Sequence, residues 1–159
     1  MFQLPSRRQT DAALLILRLI TGVTFAAHGW QKLFVFGPEN LAAGFGQMGV
    51  PFPALTGLLV GLLEFGGGIL LAVGVLTRLM SLGLAITMLG ALFLVHLDAG
   101  FFMPNGYEFV LTLFGASVSL LLMGAGGVSV DAMLARRGGS VRAQGDEVAV
   151  ARESQRSVA

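Results

Sequence analysis

Residues Gly57–Gly74 read GLLVGLLEFGGGILLAVG, an apolar run whose sole charge is Glu64, near its middle. The run is long enough to cross a bilayer as a helix. A carboxylate at that depth is costly unless it is neutralised, paired or turned toward water, so it marks a functional or architectural site. Gly57, Gly61, Glu64 and Gly68 follow i, i+4, i+7, i+11 spacing, which puts all four on one helical face. Glycines on that face let a second helix come close. Glu64 is therefore expected to face protein, and its partner must come from elsewhere in the chain.

The whole sequence has the same character. Of 159 residues, 55% are hydrophobic and 12% charged, with a mean hydropathy of +0.80, where soluble domains carry about 25% charge. Four apolar runs, at about 12–30, 54–76, 79–97 and 107–123, each hold roughly 17–23 residues, enough to span a membrane. These predict an all-α membrane protein, a four-transmembrane-helix bundle, over residues 1–137. Residues 138–159 are polar and lack a hydrophobic pattern, which predicts a disordered tail. A net charge of +1 provides no field for nucleic acid. The absence of cysteine excludes thiol–disulfide exchange, persulfide carriage, iron–sulfur ligation and a thiolate nucleophile within this chain. Arg7 and Arg8 ahead of the first run imitate a secretory signal. The run leads into Trp30, Gln31 and Lys32 rather than a small-residue cleavage site, so a retained helix is expected.

Basic residues set the orientation. Arg7 and Arg8 precede the first run, Arg78 lies between the second and third, and Arg136, Arg137 and Arg142 follow the fourth. The opposite side has Lys32 alone, so both termini are expected in the cytoplasm. On that opposite side, Gln31–Pro53 reads as a loop whose Leu41, Phe45 and Met48 recur at helical spacing, suggesting a short interfacial helix. The second such loop, DAGFFMPNGYEF, is aromatic around a Pro-Asn-Gly turn and suits the membrane–water boundary. Thr77-Arg78 reads as a tight turn making the second and third helices antiparallel neighbours.

Two groups of residues could carry chemistry. Arg18, Gly22, Phe25, Gly29 and Lys32 form a stripe on the first helix. Counted from the helix ends, Arg18 and Glu64 fall at similar depth, which predicts an ion pair between them. Such a pair either fixes helix register or lines a ligand or proton site. The second group, His28, Lys32, His96, Asp98 and Glu108, gathers at one rim. Glu108, Thr112, Gly115 and Ser119 share a stripe, so the fourth helix is expected to turn a polar, small-residue face inward. Singly, these residues have ordinary explanations: Lys32 snorkelling, His28 bonding a neighbouring helix, Asp98 and Glu108 solvated in loops. Together they make a site credible. Two histidines on separate helices suit b-type haem, but no further pair supports it. His28, His96, Asp98 and Glu108 have metal-ligand types without diagnostic spacing, and no metal is expected. Phosphate loops, zinc-protease motifs and serine triads are absent from the sequence.

The segments LRLITGVTFAAHGWQKLF, GLLEFGGGILLAVGVLTRL, MLGALFLVH and GFFMPNGYEF closely resemble the DoxX family of small four-helix membrane proteins, from about Leu17 to Leu134. Arg18, His28, Gly29, Lys32, Glu64, Gly67, His96 and Glu108 fall on that family's recurring positions. The resemblance implies a bundle in a bacterial-type inner membrane, associated with redox systems. Relatives include a subunit of a thiosulfate:quinone oxidoreductase and membrane partners of thiol-redox and superoxide-detoxifying proteins. It implies a subunit or membrane platform of a quinone-linked or thiol/sulfur redox system, whose polar core binds a quinone headgroup or an anionic sulfur species, with redox-enzyme subunits or further copies of the chain as partners within the lipid bilayer. The family has no agreed catalytic site. The alternative reading is a small-solute or proton transport module, in which Arg18 and Glu64 line a path.

Overall fold

The computed structural model describes residues 4–136, and every regular element among them is helical. The first helix, α1 (Arg7–Trp30), begins at a capping box: the Gln9 amide donates to Ser6 Oγ, and the Ser6 amide donates to Gln9 Oε1. This explains why it starts before the apolar run does. Nor does it stop at Trp30. A π-helical segment, Gln31–Phe36, carries the chain on to Gly37, whose φ of 79° breaks the axis. Pro38 then stands in the first turn of α2 (Gly37–Gln47). The stretch Gln31–Phe36 is therefore helix, not loop. The short helix expected around Leu41 and Phe45 exists, and it folds back against α3 (Pro53–Leu62), where Leu41 is buried over Gly57.

The second long helix is α3, a π-helical turn at Leu63–Gly67, and α4 (Gly68–Val73). Gly57, Gly61, Glu64 and Gly68 are all buried, as their spacing requires. At Gly22, an added Cβ would stand 2.6 Å from the Gly68 carbonyl oxygen and 2.7 Å from the Ala72 nitrogen, so α1 and α4 touch backbone to backbone.

The turn to the next helix is Gly74–Leu76 rather than Thr77-Arg78. Gly74 (φ 77°) and Leu76 (φ 49°) are both left-handed, which costs about 1–2 kcal/mol for leucine. From there α5 (Thr77–Ala91) continues through a third π-helical turn, Leu92–His96, and a 3-10 turn, Leu97–Ala99. Helix α6 (Glu108–Met123) packs along α5, while α1 packs along α3 and α4. Phe25, Leu71, Leu84, Met88, Leu113 and Leu120 fill the centre between these two pairs.

Helix α6 buries Val110, Leu113, Ser117 and Leu120. The expected inward stripe is wrong: Thr112, Gly115 and Ser119 are exposed. The Thr112 and Ser119 hydroxyls donate to the Glu108 and Gly115 carbonyls one turn back, each at 2.8 Å, so they need no partner from the bundle. A loop and a last helical stretch, 130–136 (α7), close the Arg18 end.

Arg7–Gln47, Pro53–Val73 and Thr77–Ala99 are long and apolar enough to cross a membrane, and Glu108–Met123 is a shorter apolar helix. Their outward side chains, such as Ile20 (65% exposed) and Leu122 (70%), form an apolar surface suited to lipid. The tail expected at 138–159 lies outside the described residues.

Candidate functional site

Arg18 and Glu64 do not pair. Antiparallel packing sets Gly22 against Gly68 and Ala72, and Gly29 against Glu64 and Phe65. Arg18 is consequently level with Ala72, about 12 Å along the axis from Glu64 at 1.5 Å per residue. Counting depth from presumed helix ends failed because the first helix runs on past Trp30.

Two separate polar sites result. At one end, the buried Arg18 guanidinium donates from Nε to the Ala72 carbonyl (3.1 Å). Its two terminal nitrogens donate to the Ala125 (2.6 Å) and Val128 (2.8 Å) carbonyls. It thereby caps the carbonyl end of α4 and pins the 124–129 loop. Beside it, Asp131 accepts from the Leu76 and Thr77 amides, both at 2.9 Å, and so caps α5 from a distant part of the chain. Asp11 holds the Gly127 amide at 2.6 Å. Asp131 did not stand out in the sequence, because the segment after Met123 has no apolar rhythm to place it.

Burial alone would raise the Asp131 pKa, but the Thr77 and Leu76 bonds and the Arg18 charge outweigh it and hold the carboxyl below its ordinary value. A depressed folded pKa stabilises the protein above the unfolded value, about 3.9 for aspartate. That stability is lost as pH falls through the lower, folded value. The expected result is an acid limb in unfolding of the detergent-solubilised protein that becomes shallower in Asp131→Asn. An unchanged limb would show that Asp131 is not among the groups that set it.

At the other end, Glu64, 2% exposed, forms an ion pair with Lys32 of the π-helical segment, whose side chain is 24% exposed. Lys32 lies on the stripe of Arg18, Gly22, Phe25 and Gly29, and the contact of Gly29 with Glu64 brings it there. That stripe was the available clue, since it points Lys32 inward.

Lys32, Glu64 and His96 each sit in a π-helical turn, one on each of the three long helices. Such turns widen the helix and are frequent at functional sites. Here they border a cavity of about 660 Å³, walled mainly by apolar side chains including Phe25, Met88 and Leu113. His28, Lys32, Glu64 and His96 all line it. His28 lies against Phe109, ring centroids 5.6 Å apart. His96 Nδ1 is 2.8 Å from the Asn105 carbonyl oxygen, which ties it to the loop before α6. Asp98 and Glu108 do not line the cavity. Asp98 is exposed in the Leu97–Ala99 turn, and Glu108 accepts the Met103 amide at 2.8 Å, closing the same loop. Of the seven residues singled out from sequence, four meet at the cavity, two flank it, and Arg18 belongs to the opposite end.

The arrangement offers a cationic donor, a carboxylate and two imidazoles on an otherwise apolar wall. The size falls within the range of about 300–1,000 Å³ typical of small-molecule sites.

The DoxX family profile matches residues 13–97. CatD of Bacillus subtilis, named as a candidate oxidoreductase, is 31% identical over 121 residues, covering 76% of this chain and 86% of its own length. The inner membrane protein YqjF of Escherichia coli is 30% identical over 138 residues, covering 82% of this chain and 98% of its own. Membrane protein Rv3486 of Mycobacterium tuberculosis is 31% identical over 139 residues, covering 79% of this chain and 83% of its own. No solved structure matches.

Proposed function

This chain is a member of the DoxX family of membrane proteins, and we propose that it is a four-span inner-membrane subunit of a redox assembly whose cavity receives a quinone headgroup. The observation that carries this reading is the convergence of Lys32, Glu64 and His96, from three π-helical turns, on one apolar cavity. A quinone needs such a combination: an apolar enclosure for its ring, a donor for a carbonyl oxygen, and groups that hold protons nearby. Lys32 supplies the donor and Glu64 orients it. His28 and His96 stand at the wall as proton-holding groups. Quinone reduction takes up two electrons and two protons, and the chain has no cysteine to deliver electrons by thiol chemistry, so a partner subunit fills that role. The name of one relative supports the redox part of this reading, CatD being named as a candidate oxidoreductase.

The purified wild type, extracted with organic solvent, is expected to yield quinone at near one equivalent, and Glu64→Gln to yield much less. Equal, trace amounts from both would remove the quinone reading. The transport reading has one observation of its own. The hydroxyls of Ser81 and Ser117 are buried without hydrogen-bond partners among the described residues, as in a site that takes up water. Proton flux through vesicles containing a quinone-free wild type would favour it.

The four spans and the cytoplasmic termini rest on the basic flanks Arg7, Arg8 and Arg78. Because the chain lacks cysteine, single replacements report cleanly. Glu39→Cys is expected to react with an impermeant maleimide from outside intact spheroplasts, and Arg8→Cys only after lysis. The opposite pattern would invert the topology.

A further inference from the structure

We infer that the ligand of this cavity carries a long apolar tail, that the tail leaves sideways into the bilayer between α3 and α5, and that Gly90 is the residue whose missing side chain admits it. The inference rests on the quinone reading above and adds the class of quinone and its route.

The two walls diverge in the right place. Helix α5 touches the second long helix at the Leu63–Gly67 turn and at α4. An added Cβ at Gly83 would meet Leu63 Cδ2 at 3.1 Å, and one at Gly67 would meet Met80 Sδ at 3.4 Å. Past that turn α3 bears on α2 instead. Thr56 and Val60 of α3 and Ile86, Thr87 and Gly90 of α5 then line the cavity from either side. Ile86 lines it and is also 63% exposed, so this wall reaches the outer surface of a membrane-crossing helix. An opening there meets lipid chains.

Gly90 itself is the second, independent observation. A glycine inside a helix is unfavourable relative to alanine. In membrane helices the usual compensation is close helix contact. Gly22, Gly29 and Gly68 fit that explanation, because a Cβ on any of them would collide with the facing backbone. Gly90 does not: a Cβ there would meet nothing within 4 Å, as at Gly44, Gly66 and Gly115, and of these four Gly90 is the one that lines the cavity. Two glycines line the cavity, and the other, Gly106, is fixed by its own loop, a Cβ standing 2.5 Å from the Phe101 carbonyl carbon. The space beside Gly90 is kept open without serving the packing. Val60 and Ile86 line this part of the cavity, and the Thr56 and Thr87 hydroxyls donate to the Pro51 and Gly83 carbonyls, which leaves a wall suited to a hydrocarbon or isoprenoid chain.

The test compares decylubiquinone with its tailless headgroup, 2,3-dimethoxy-5-methyl-1,4-benzoquinone, in binding to full-length protein in nanodiscs. Gly90→Phe should weaken decylubiquinone at least about tenfold and leave the tailless compound within about twofold. Gly90→Ala should fall between, and both variants should unfold near the wild-type temperature, since the space is empty. Glu64→Gln should weaken both compounds alike. Equal losses of both compounds in Gly90→Phe, or none, would overturn the tail route while leaving the quinone reading intact. If the wild type binds neither compound, the quinone reading fails, and the route is then decided without quinone. A bimane label on Gly90→Cys in vesicles of brominated-chain phosphatidylcholine should be strongly quenched if chains reach this position. An unquenched label would overturn it.

Discussion

Arg18→Ala should destabilise the protein by about 3–5 kcal/mol, the range for removing one partner from a buried charged network. The magnitude follows from what the guanidinium holds. It is 2% exposed and serves three carbonyls, on Ala72, Ala125 and Val128, so it joins the end of α4 to the 124–129 loop. Each buried carbonyl left without a donor costs about 1–3 kcal/mol, less whatever the 124–129 loop recovers by moving. Lysine presents one ammonium instead of a planar fork, so Arg18→Lys should recover only part of the loss. Thermal or denaturant unfolding in a fixed detergent measures all of this. A double-mutant cycle separates the two polar sites. Arg18→Ala and Glu64→Ala should add within about 0.5 kcal/mol, because the residues share no partner. Arg18→Ala and Asp131→Asn should couple. A coupling energy between Arg18 and Glu64 well above that limit would contradict the register drawn here.

Much of the fold was legible in the spacing of small residues. The Gly57, Gly61, Glu64, Gly68 face and the Arg18, Gly22, Phe25, Gly29 face are both buried, because a helical stripe is a local property that sequence spacing determines. The register between those faces is not local. It depends on where each helix ends, and Gln31–Phe36 continues a helix that Trp30 and Lys32 had been read as closing. A shift of that kind exchanged the partner of Glu64 from Arg18 to Lys32. The face of α6 was misread for a different reason. Thr112 and Ser119 can satisfy themselves on their own backbone, so their polarity says nothing about which side meets protein. The π-helical turns left no trace in the sequence, although the ionisable residues they hold were each picked out individually.

The Lys32–Glu64 pair should respond to its two single replacements unequally, and in an order set by burial. Lys32→Met leaves Glu64 nearly inaccessible, 2% exposed, with no cation to face. The loss should approach the lower end of about 3–5 kcal/mol, since the partner charge is left buried and unpaired. Glu64→Gln instead leaves a lysine already 24% exposed. Its flexible stem can carry the ammonium toward the headgroups, so this change should be the milder. The expected order of damage is Arg18→Ala, then Lys32→Met, then Glu64→Gln. The double variant Lys32→Met/Glu64→Gln should be more stable than the sum of the singles, by an interaction energy of about 1–3 kcal/mol. Strict additivity would mean that the two side chains do not form a paired unit. A double variant that is stable yet has lost its extracted quinone would assign the pair to the ligand as well as to the fold, because the packing would survive while the headgroup had lost its donor.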